Sequence, residues 1–235
     1  MRRSAVTVVI PAYNEEKTIG NVLSETNSIM DGLEFSYEVI VVDDGSTDKT
    51  GQIASTHKAI VLSNKKNYGK GYSLRKAFHH AHGDIIITLD SDGEHKPKEI
   101  PDLIEPLFKG TDIVAGSRFL GAQVQATSKL NQIGNFLFNT VIMILTGKIV
   151  TDSQTGFRAI KRNVLETLDL ESDGYEIETE ITVKSLRNGY VFKEMPITIE
   201  RRKYNISKLK LLSDGTRILK TILKANFAKI EPHSD

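Results

Sequence analysis

Apolar and polar positions along the first half of the chain alternate between two periods. Short β-branched runs occur at Val6–Ile10, Tyr37–Val42, Ala59–Leu62, Asp84–Leu89 and Asp112–Ala115. Between them, Lys17–Met30, Asp48–His57, Gly71–His80 and Lys98–Phe108 carry apolar residues at helical spacing. Strands that are apolar almost without interruption and alternate with helices predict a parallel sheet covered on both faces. The punctuation agrees: Asp48 follows a Gly-Ser-Thr turn, and Pro97 and Pro101 stand near the start of the fourth helix. Beyond residue 120 the pattern predicts a helix over Lys129–Thr146, a strand over Gly156–Ile160, a helix over Ile177–Arg187 and a strand over Val191–Glu200. A basic helix from Ser213 to about Lys229 closes the chain. No repeat or low-complexity linker separates the halves, so the expectation is one α/β domain with a C-terminal helical elaboration.

Composition narrows the class. The 235 residues are 39% hydrophobic and 26% charged, the profile of a folded globular chain, which excludes a collagen-like or disulfide-rich scaffold. Net charge is +1, so no global field is aimed at nucleic acid. The absence of cysteine removes thiolate chemistry and Cys-ligated zinc and suits a reducing compartment. The run after Arg2-Arg3 is too short and too β-branched for a signal-peptide core. The longest apolar stretch, Phe136–Leu145, falls short of the roughly 20 residues that span a bilayer, so no integral membrane segment is expected.

Ligands gather at the carboxyl ends of strands in open α/β sheets, and these ends are rich here. The first strand ends in Pro11-Ala12-Tyr13-Asn14-Glu15-Glu16, the second in Asp43-Asp44-Gly45-Ser46, and the third leads into Asn67-Tyr68-Gly69-Lys70-Gly71. The fourth ends in Asp90-Ser91-Asp92-Gly93-Glu94-His95. Carboxylates two apart on an extended segment point the same way, and their repulsion is relieved by a shared cation. Oxygen ligands few in number suit Mg²⁺ or Mn²⁺ with phosphate and water completing the shell, and Asp92 and Glu94 are the candidate ligands. A solvated acidic loop explains the same residues. The Lys65–Gly71 loop offers glycines for close backbone approach and lysines for phosphate charge, or a plain turn before a helix; it lacks the Ser/Thr of a Walker A loop. The histidines show no metal-like spacing.

Positive charge concentrates late. Arg118 and Lys129 precede a run from Arg201 to Lys229 holding nine Lys or Arg against one acid, while the remaining residues carry 22 basic and 29 acidic groups. That asymmetry suits an anionic surface or ligand. The closing helix has an apolar stripe of Leu211, Gly215, Ile218, Ile222 and Ala225, flanked by Leu212, Leu219 and Leu223 with Arg217, Lys220 and Lys224 between. It fits either packing on the core or an interfacial helix on anionic lipid.

Taken together and in this order, the four strand-end motifs resemble those of family-2 glycosyltransferases. Val114-Ala115-Gly116-Ser117-Arg118-Phe119, Thr151-Asp152-Ser153-Gln154-Thr155-Gly156-Phe157-Arg158, and Arg202 with Ser207-Lys208 are similar to the polyprenyl-phosphate branch, typified by dolichyl-phosphate sugar synthases. The resemblance implies the type-A nucleotide-sugar fold: a single Rossmann-like domain with a mostly parallel central sheet. Residues 1–120 would form the nucleotide-binding half, 121–208 the acceptor-binding half and 209–235 the basic amphipathic helix. Pro11, Ala12, Tyr13, Glu15, Val42 and Asp44 would hold base and ribose. Asp90, Ser91 and Asp92 would meet the diphosphate and a Mg²⁺ or Mn²⁺ ion, with Glu94 as a further ligand. Lys70, Lys129, Arg118, Arg202 and Lys208 would bind phosphate. Glu94 stands where the branch usually has Gln, and Asn205 where it has Gly.

The implied reaction is inverting transfer of a hexose from GDP-mannose, UDP-glucose or UDP-N-acetylglucosamine to dolichyl or polyprenyl phosphate. The enzyme would sit peripherally on the cytoplasmic face of a membrane through its basic helix. A hydroxyl acceptor is the alternative, and needs a carboxylate base such as Asp152 or Glu178. A non-catalytic nucleotide-sugar-binding domain is the third. The sequence leaves sugar and base open.

Overall fold

The computed structural model describes residues 5–120, 129–200 and 211–227, and the side chains of these except 129–131 and 211–214. Seven strands form one sheet: β1 (Ala5–Ala12), β2 (Ser36–Asp43), β3 (Ile60–Ser63), β4 (Ile85–Thr88), β5 (Ile113–Ser117), β6 (Arg158–Lys161) and β7 (Phe192–Pro196). Helices are α1 (Ile19–Asp31), α2 (Thr50–Ser55), α3 (Lys70–His80), α4 (Ile100–Ile104), α5 (Lys129–Thr146), α6 (Arg162–Thr167), α7 (Ile177–Arg187) and α8 (Leu211–Phe227). The strand order is β3-β2-β1-β4-β6-β5-β7.

Strands β3, β2, β1 and β4 run parallel, as do β5 and β7. Only β6 opposes its neighbours, pairing antiparallel with both β4 and β5. The chain moves outward from β1 through β2 to β3 and then returns to β4 on the other side of β1. The order therefore reverses between β1 and β4, which opens a crevice at their carboxyl ends.

Both faces are covered, as the apolar strands require. Val6, Val8 and Ile10 point to one face against Ile19, Leu23 and Leu103. Val9, Ile40 and Val42 point to the other against Leu74, Ala77 and Ile181. A third cluster joins Ile142 of α5, Val183 of α7, and Ile218, Ile222 and Ala225 of α8. Ile218, Ile222 and Ala225 of the closing helix's stripe thus pack on the core, while the flanking Leu219 and Leu223 stay exposed; the side chains of Leu211 and Leu212 lie outside the described residues.

The pattern-derived helix over 98–108 is broken. Pro101 and Pro106 withhold backbone donors, so α4 is only five residues long and lies between two 3-10 turns, 97–99 and 105–109. The strand expected over 191–200 leaves the sheet after Pro196, and its continuation crosses the 93–95 loop: Ile199 bridges His95 and Glu200 N–H donates to Glu94 O at 2.9 Å. Helix α6, one turn and a half directly after β6, was not expected.

The start of α3 is held by backbone contact. A Cβ on Gly71 would overlap the Ser172 carbonyl oxygen, and Gly69 has a φ of +106°. Gly71→Ala is expected to lower stability by about 1–3 kcal/mol through overpacking. Gly215→Ala, in α8 with 3.7 Å to its nearest neighbour, should raise it by about 0.5–1 kcal/mol. Urea unfolding of the two variants checks both signs.

Candidate active site

Loops at the carboxyl edge of β1, β2 and β4 are fastened to one another. Asn14, at φ 54°, accepts from Thr47 N–H at 2.8 Å while its own N–H donates to Ser46 Oγ at 3.0 Å. Glu15 N–H donates to Thr50 Oγ1 at 2.8 Å. Ser91 Oγ donates to the Pro11 carbonyl at 2.9 Å, tying the β4 end to the β1 end. Asp44 is 3% exposed and accepts from Asn64 Nδ2 (2.7 Å), Tyr68 N–H (3.0 Å) and Gly69 N–H (2.8 Å). Its carboxylate therefore shapes the 64–69 loop.

That loop delivers Lys70 to the middle of the site. Lys70 Nζ lies 2.5 Å from Asp90 Oδ1 and 2.6 Å from Glu178 Oε1, the latter on the first turn of α7. Gly156 permits the arrangement, since a Cβ there would sit 2.6 Å from both Lys70 Nζ and Asp90 Oδ2. The His95 ring lies on the far side of Asp90, Nδ1 to Oδ2 3.7 Å, and packs against Phe157 with ring centroids 5.4 Å apart.

A second ion pair stands at the end of β5. Arg118 Nε and Nη2 donate to the two oxygens of Asp152 at 2.7 and 2.8 Å, and the Arg118 N–H adds a third bond at 3.1 Å. Asp152 is fully buried. Arg158, also buried, donates to Thr155 O, Ser153 O and Thr182 Oγ1, holding the loop that leads into β6.

These charges perturb one another. Burial works against the Lys70 ammonium, but Asp90 and Glu178 outweigh it and hold its pKa above the ordinary lysine value. Burial would raise Asp90, yet Lys70, His95 and Arg118 pull it below the usual carboxylate value. Glu178 stays raised because burial exceeds the help from Lys70. His95 is lowered by burial against the pull of Asp90 and Asp92. Burial opposes the Arg118 charge too, but Asp152, Asp90 and Glu94 keep its pKa above the ordinary arginine value. Burial pushes Arg158 down to about 10.

The site thus brings together Asp90, Ser91, Asp92, Glu94, Lys70, Arg118 and Asp152, with Pro11, Ala12, Tyr13 and Glu15 on the adjoining loop. Several expected roles are corrected by geometry. Val42 and Ala12 have their side chains in the core, so only their backbones face the site. Gly69 and Gly71 admit the 172–173 backbone. The Lys70 amine lies against two carboxylates, and both Asp152 oxygens accept from Arg118. Arg202, Lys208 and the side chain of Lys129 lie outside the described residues.

Among the described residues no three acidic or imidazole groups are placed to hold a metal by themselves. Asp92, 9% exposed with Oδ1 accepting from Glu94 N–H at 3.0 Å, stands with Asp90 at the mouth of the crevice. One or two hard carboxylates fit a divalent ion whose other ligands come from a diphosphate and water. His95, missed in the sequence although it ends the Asp90–His95 motif, is 6% exposed with no hydrogen-bond partner for Nδ1. Together with Asp92, Lys17 and Asn21 it lines a cleft of about 600 Å³ between α1 and the 92–98 segment.

The family model of glycosyl transferase family 2 matches residues 7–169. An uncharacterized protein of Methanocaldococcus jannaschii is 35% identical over 226 residues, 93% of this chain and 91% of that one. The dolichol-phosphate mannosyltransferase of Pyrococcus furiosus is 31% identical over 87% of this chain, which spans 59% of that relative's length. Glucosyl-3-phosphoglycerate synthase from Mycobacterium tuberculosis, solved with Mn²⁺, UDP and phosphoglyceric acid, superposes with a TM-score of 0.76 at 25% identity, covering 98% of this chain and 80% of that one. The single α/β domain with its mostly parallel sheet matches the type-A fold of such neighbours.

Lys70→Met is expected to destabilise the protein by about 3–5 kcal/mol at pH 8, because Asp90 and Glu178 lose their shared counter-charge inside the protein. Without the ammonium both carboxyls acquire folded pKa values above their unfolded ones. Such groups favour the fold at low pH and lose that contribution as pH rises. The deficit relative to wild type should therefore shrink at pH 5, as read from urea unfolding at the two pH values.

Proposed function

The chain belongs to glycosyl transferase family 2, and from that premise we propose that it transfers a hexose from a nucleotide sugar to the phosphate of a dolichyl or other polyprenyl phosphate. One observation carries the choice of acceptor. Of the two carboxylates that were candidates for a general base, Asp152 accepts from Arg118 on both oxygens and Glu178 has one oxygen ion-paired with Lys70. A hydroxyl acceptor with a pKa far above 7 needs a base. A phosphate monoester, with its second pKa near ~6, is already an anion at neutral pH and needs only to be positioned.

In this reading Asp90 and Asp92 hold the donor end of the site. A divalent ion, Mg²⁺ or Mn²⁺, supplies positive charge for the leaving diphosphate when bound. Arg118 spends Nε and Nη2 on Asp152 and directs its remaining edge at the acceptor phosphate, which attacks the anomeric carbon in line with inversion. Arg202 and Lys208 would add charge to the same phosphate. The named Pyrococcus relative supports this acceptor; because the chain spans under two thirds of it, the full activity of that longer protein is part of the proposal.

A lipid acceptor also accounts for two apolar surfaces. Helix α5 exposes Ile133, Phe136, Leu137 and Ile144, each more than half exposed, and α8 exposes Leu219, Leu223 and Phe227 beside Arg217, Lys220 and Lys224. Among the described residues no helix is long and apolar enough to cross a membrane. These faces suit a peripheral contact, with apolar side chains at the acyl boundary and cations on anionic head groups.

Labelled GDP-mannose, UDP-glucose and UDP-N-acetylglucosamine, each incubated with dolichyl phosphate and Mn²⁺ or Mg²⁺, should give a chloroform-soluble product with one of them. Absence of product from all three defeats the reading. Asp92→Ala should abolish the metal-dependent part of donor affinity, measured by titration calorimetry with and without Mn²⁺. Co-sedimentation with anionic vesicles should weaken as salt rises, and Lys220→Glu/Lys224→Glu should weaken it further.

A further inference from the structure

The Thr151–Asp152 turn, which carries the partner of Arg118, is fixed by side chains from other elements. Asn135 and Asn139, one turn apart on the inner side of α5, both donate from Nδ2 to the Thr151 carbonyl, at 2.8 and 2.7 Å. Asn139 Oδ1 accepts from Ser153 N–H at 3.3 Å. From β7, Glu194 accepts the Thr151 N–H on Oε2 at 2.8 Å and the Asp152 N–H on Oε1 at 2.7 Å. From β5, Ser117 Oγ meets Thr151 Oγ1 at 2.6 Å. Helix α5 and strand β7 thus grip the 151–152 peptide unit while β5 holds the Thr151 side chain, and the Asp152 carboxylate holds the guanidinium.

We propose that Asn135, Asn139 and Glu194 are positioning residues: by fixing the 151–152 backbone they set the aim of the Arg118 guanidinium at the acceptor phosphate. The function of that aim rests on the acceptor reading above; the mechanical coupling does not.

Stability alone does not explain this choice of side chains. Asn135 and Asn139 are 4% and 8% exposed, and their helix otherwise buries Ile142 with Phe138 and Val141 half-buried beside it. Leucine at either position would bury apolar surface but take a donor from the Thr151 carbonyl, so the amides satisfy buried backbone as well as orient it. Asn135 Oδ1 has no hydrogen-bond partner among the described residues, a cost that a purely structural position would shed. What the amides supply is direction. A carbonyl held by two donors, with both neighbouring N–H groups held by one carboxylate, has no freedom to rotate. The fork geometry of the arginine then transmits that orientation to its outer edge.

The test uses the full chain and the variants Asn139→Asp, Asn135→Leu/Asn139→Leu and Glu194→Gln. A clamped guanidinium gives a resolved, slowly exchanging Nε–H signal in ¹⁵N–¹H spectra, assigned to Arg118 by its loss in Arg118→Lys. Exchange of that proton is expected to quicken by about tenfold or more in each variant, the effect of losing one good hydrogen bond. KM for dolichyl phosphate should rise by a similar factor while KM for the nucleotide sugar stays within about twofold. The double leucine variant leaves the Thr151 carbonyl and the Ser153 N–H without these partners and is expected to melt lower; the selective rise in KM for one substrate, read well below its melting point, separates aim from stability. Unchanged Nε–H exchange in all three variants overturns the proposal, as does an equal rise in both KM values. Quickened exchange in a protein that never uses dolichyl phosphate upholds the positioning role and defeats only the acceptor reading.

Discussion

One ammonium group between a buried carboxylate and a partly exposed one makes the rest of this site possible. A donor site of this kind needs acidic side chains crowded at the ends of adjacent strands, and crowding of that sort is self-repelling. Lys70 offsets it from within, at 2.5 Å from Asp90 and 2.6 Å from Glu178. The cost of bringing three charges out of water is met only because the geometry is close on every side. Gly156 yields its Cβ to the pair, Gly69 and Gly71 let the loop bearing Lys70 dock on the 172–173 backbone, and Asp44 gathers three donors from that same loop. Asp44 and Asp90 end different strands and never touch, yet the first sets where the counter-charge of the second arrives.

The same principle recurs one strand away with arginine in place of lysine. Arg118 and Asp152 form a two-bond fork, and Arg158 carries the 153–155 carbonyls beneath it. The two tiers differ in what they leave available. Lys70 is enclosed by its partners, with a side chain 13% exposed, and serves to keep the acids in place. Arg118 pairs through one edge only, so it both neutralises a buried acid and presents charge outward. A planar guanidinium does this readily; a point-charge ammonium does not.

The five strands of the first half, the crevice at their carboxyl ends and the acidic motifs lining it were legible in the sequence. Each depends on local pattern: β-branched runs, helix periodicity, and Asp or Gly where a strand stops. What was not legible depends on pairings between distant positions. Arg118 and Asp152 stand 34 residues apart, Lys70 and Glu178 over a hundred, and nothing in their immediate neighbours marks them as partners. The antiparallel direction of β6 was hidden for the same reason, since a four-residue strand carries no sign of which way its neighbours run. Gly69 and Gly71 do serve close backbone approach before a helix, but what approaches them is the 172–173 segment, which no local pattern could name. His95 escaped because a lone histidine has no spacing to judge; only burial between Asp90 and Phe157 gives it meaning.

The surfaces bear on how the two substrates reach one site. The donor is a charged, water-soluble molecule and the proposed acceptor has a charged head on an apolar chain, so the two would approach from different phases. In the proposed reading they would meet different elements. The nucleotide side is built from β1, β2 and β4 with polar loops above them. The side beyond β5 is bounded by α5, whose outer face is apolar and whose inner face carries the two asparagines that hold the Thr151 carbonyl. In the proposed reading, a helix with one apolar face and the other fastened to the turn behind Arg118 would link the lipid's place to its phosphate's place. A small soluble acceptor, such as the phosphoglyceric acid bound by the Mycobacterium tuberculosis neighbour, has no use for exposed Phe136, Leu137 and Ile144. Their exposure costs solubility without return unless that face is covered in use, and a membrane surface beside the acceptor phosphate would cover it.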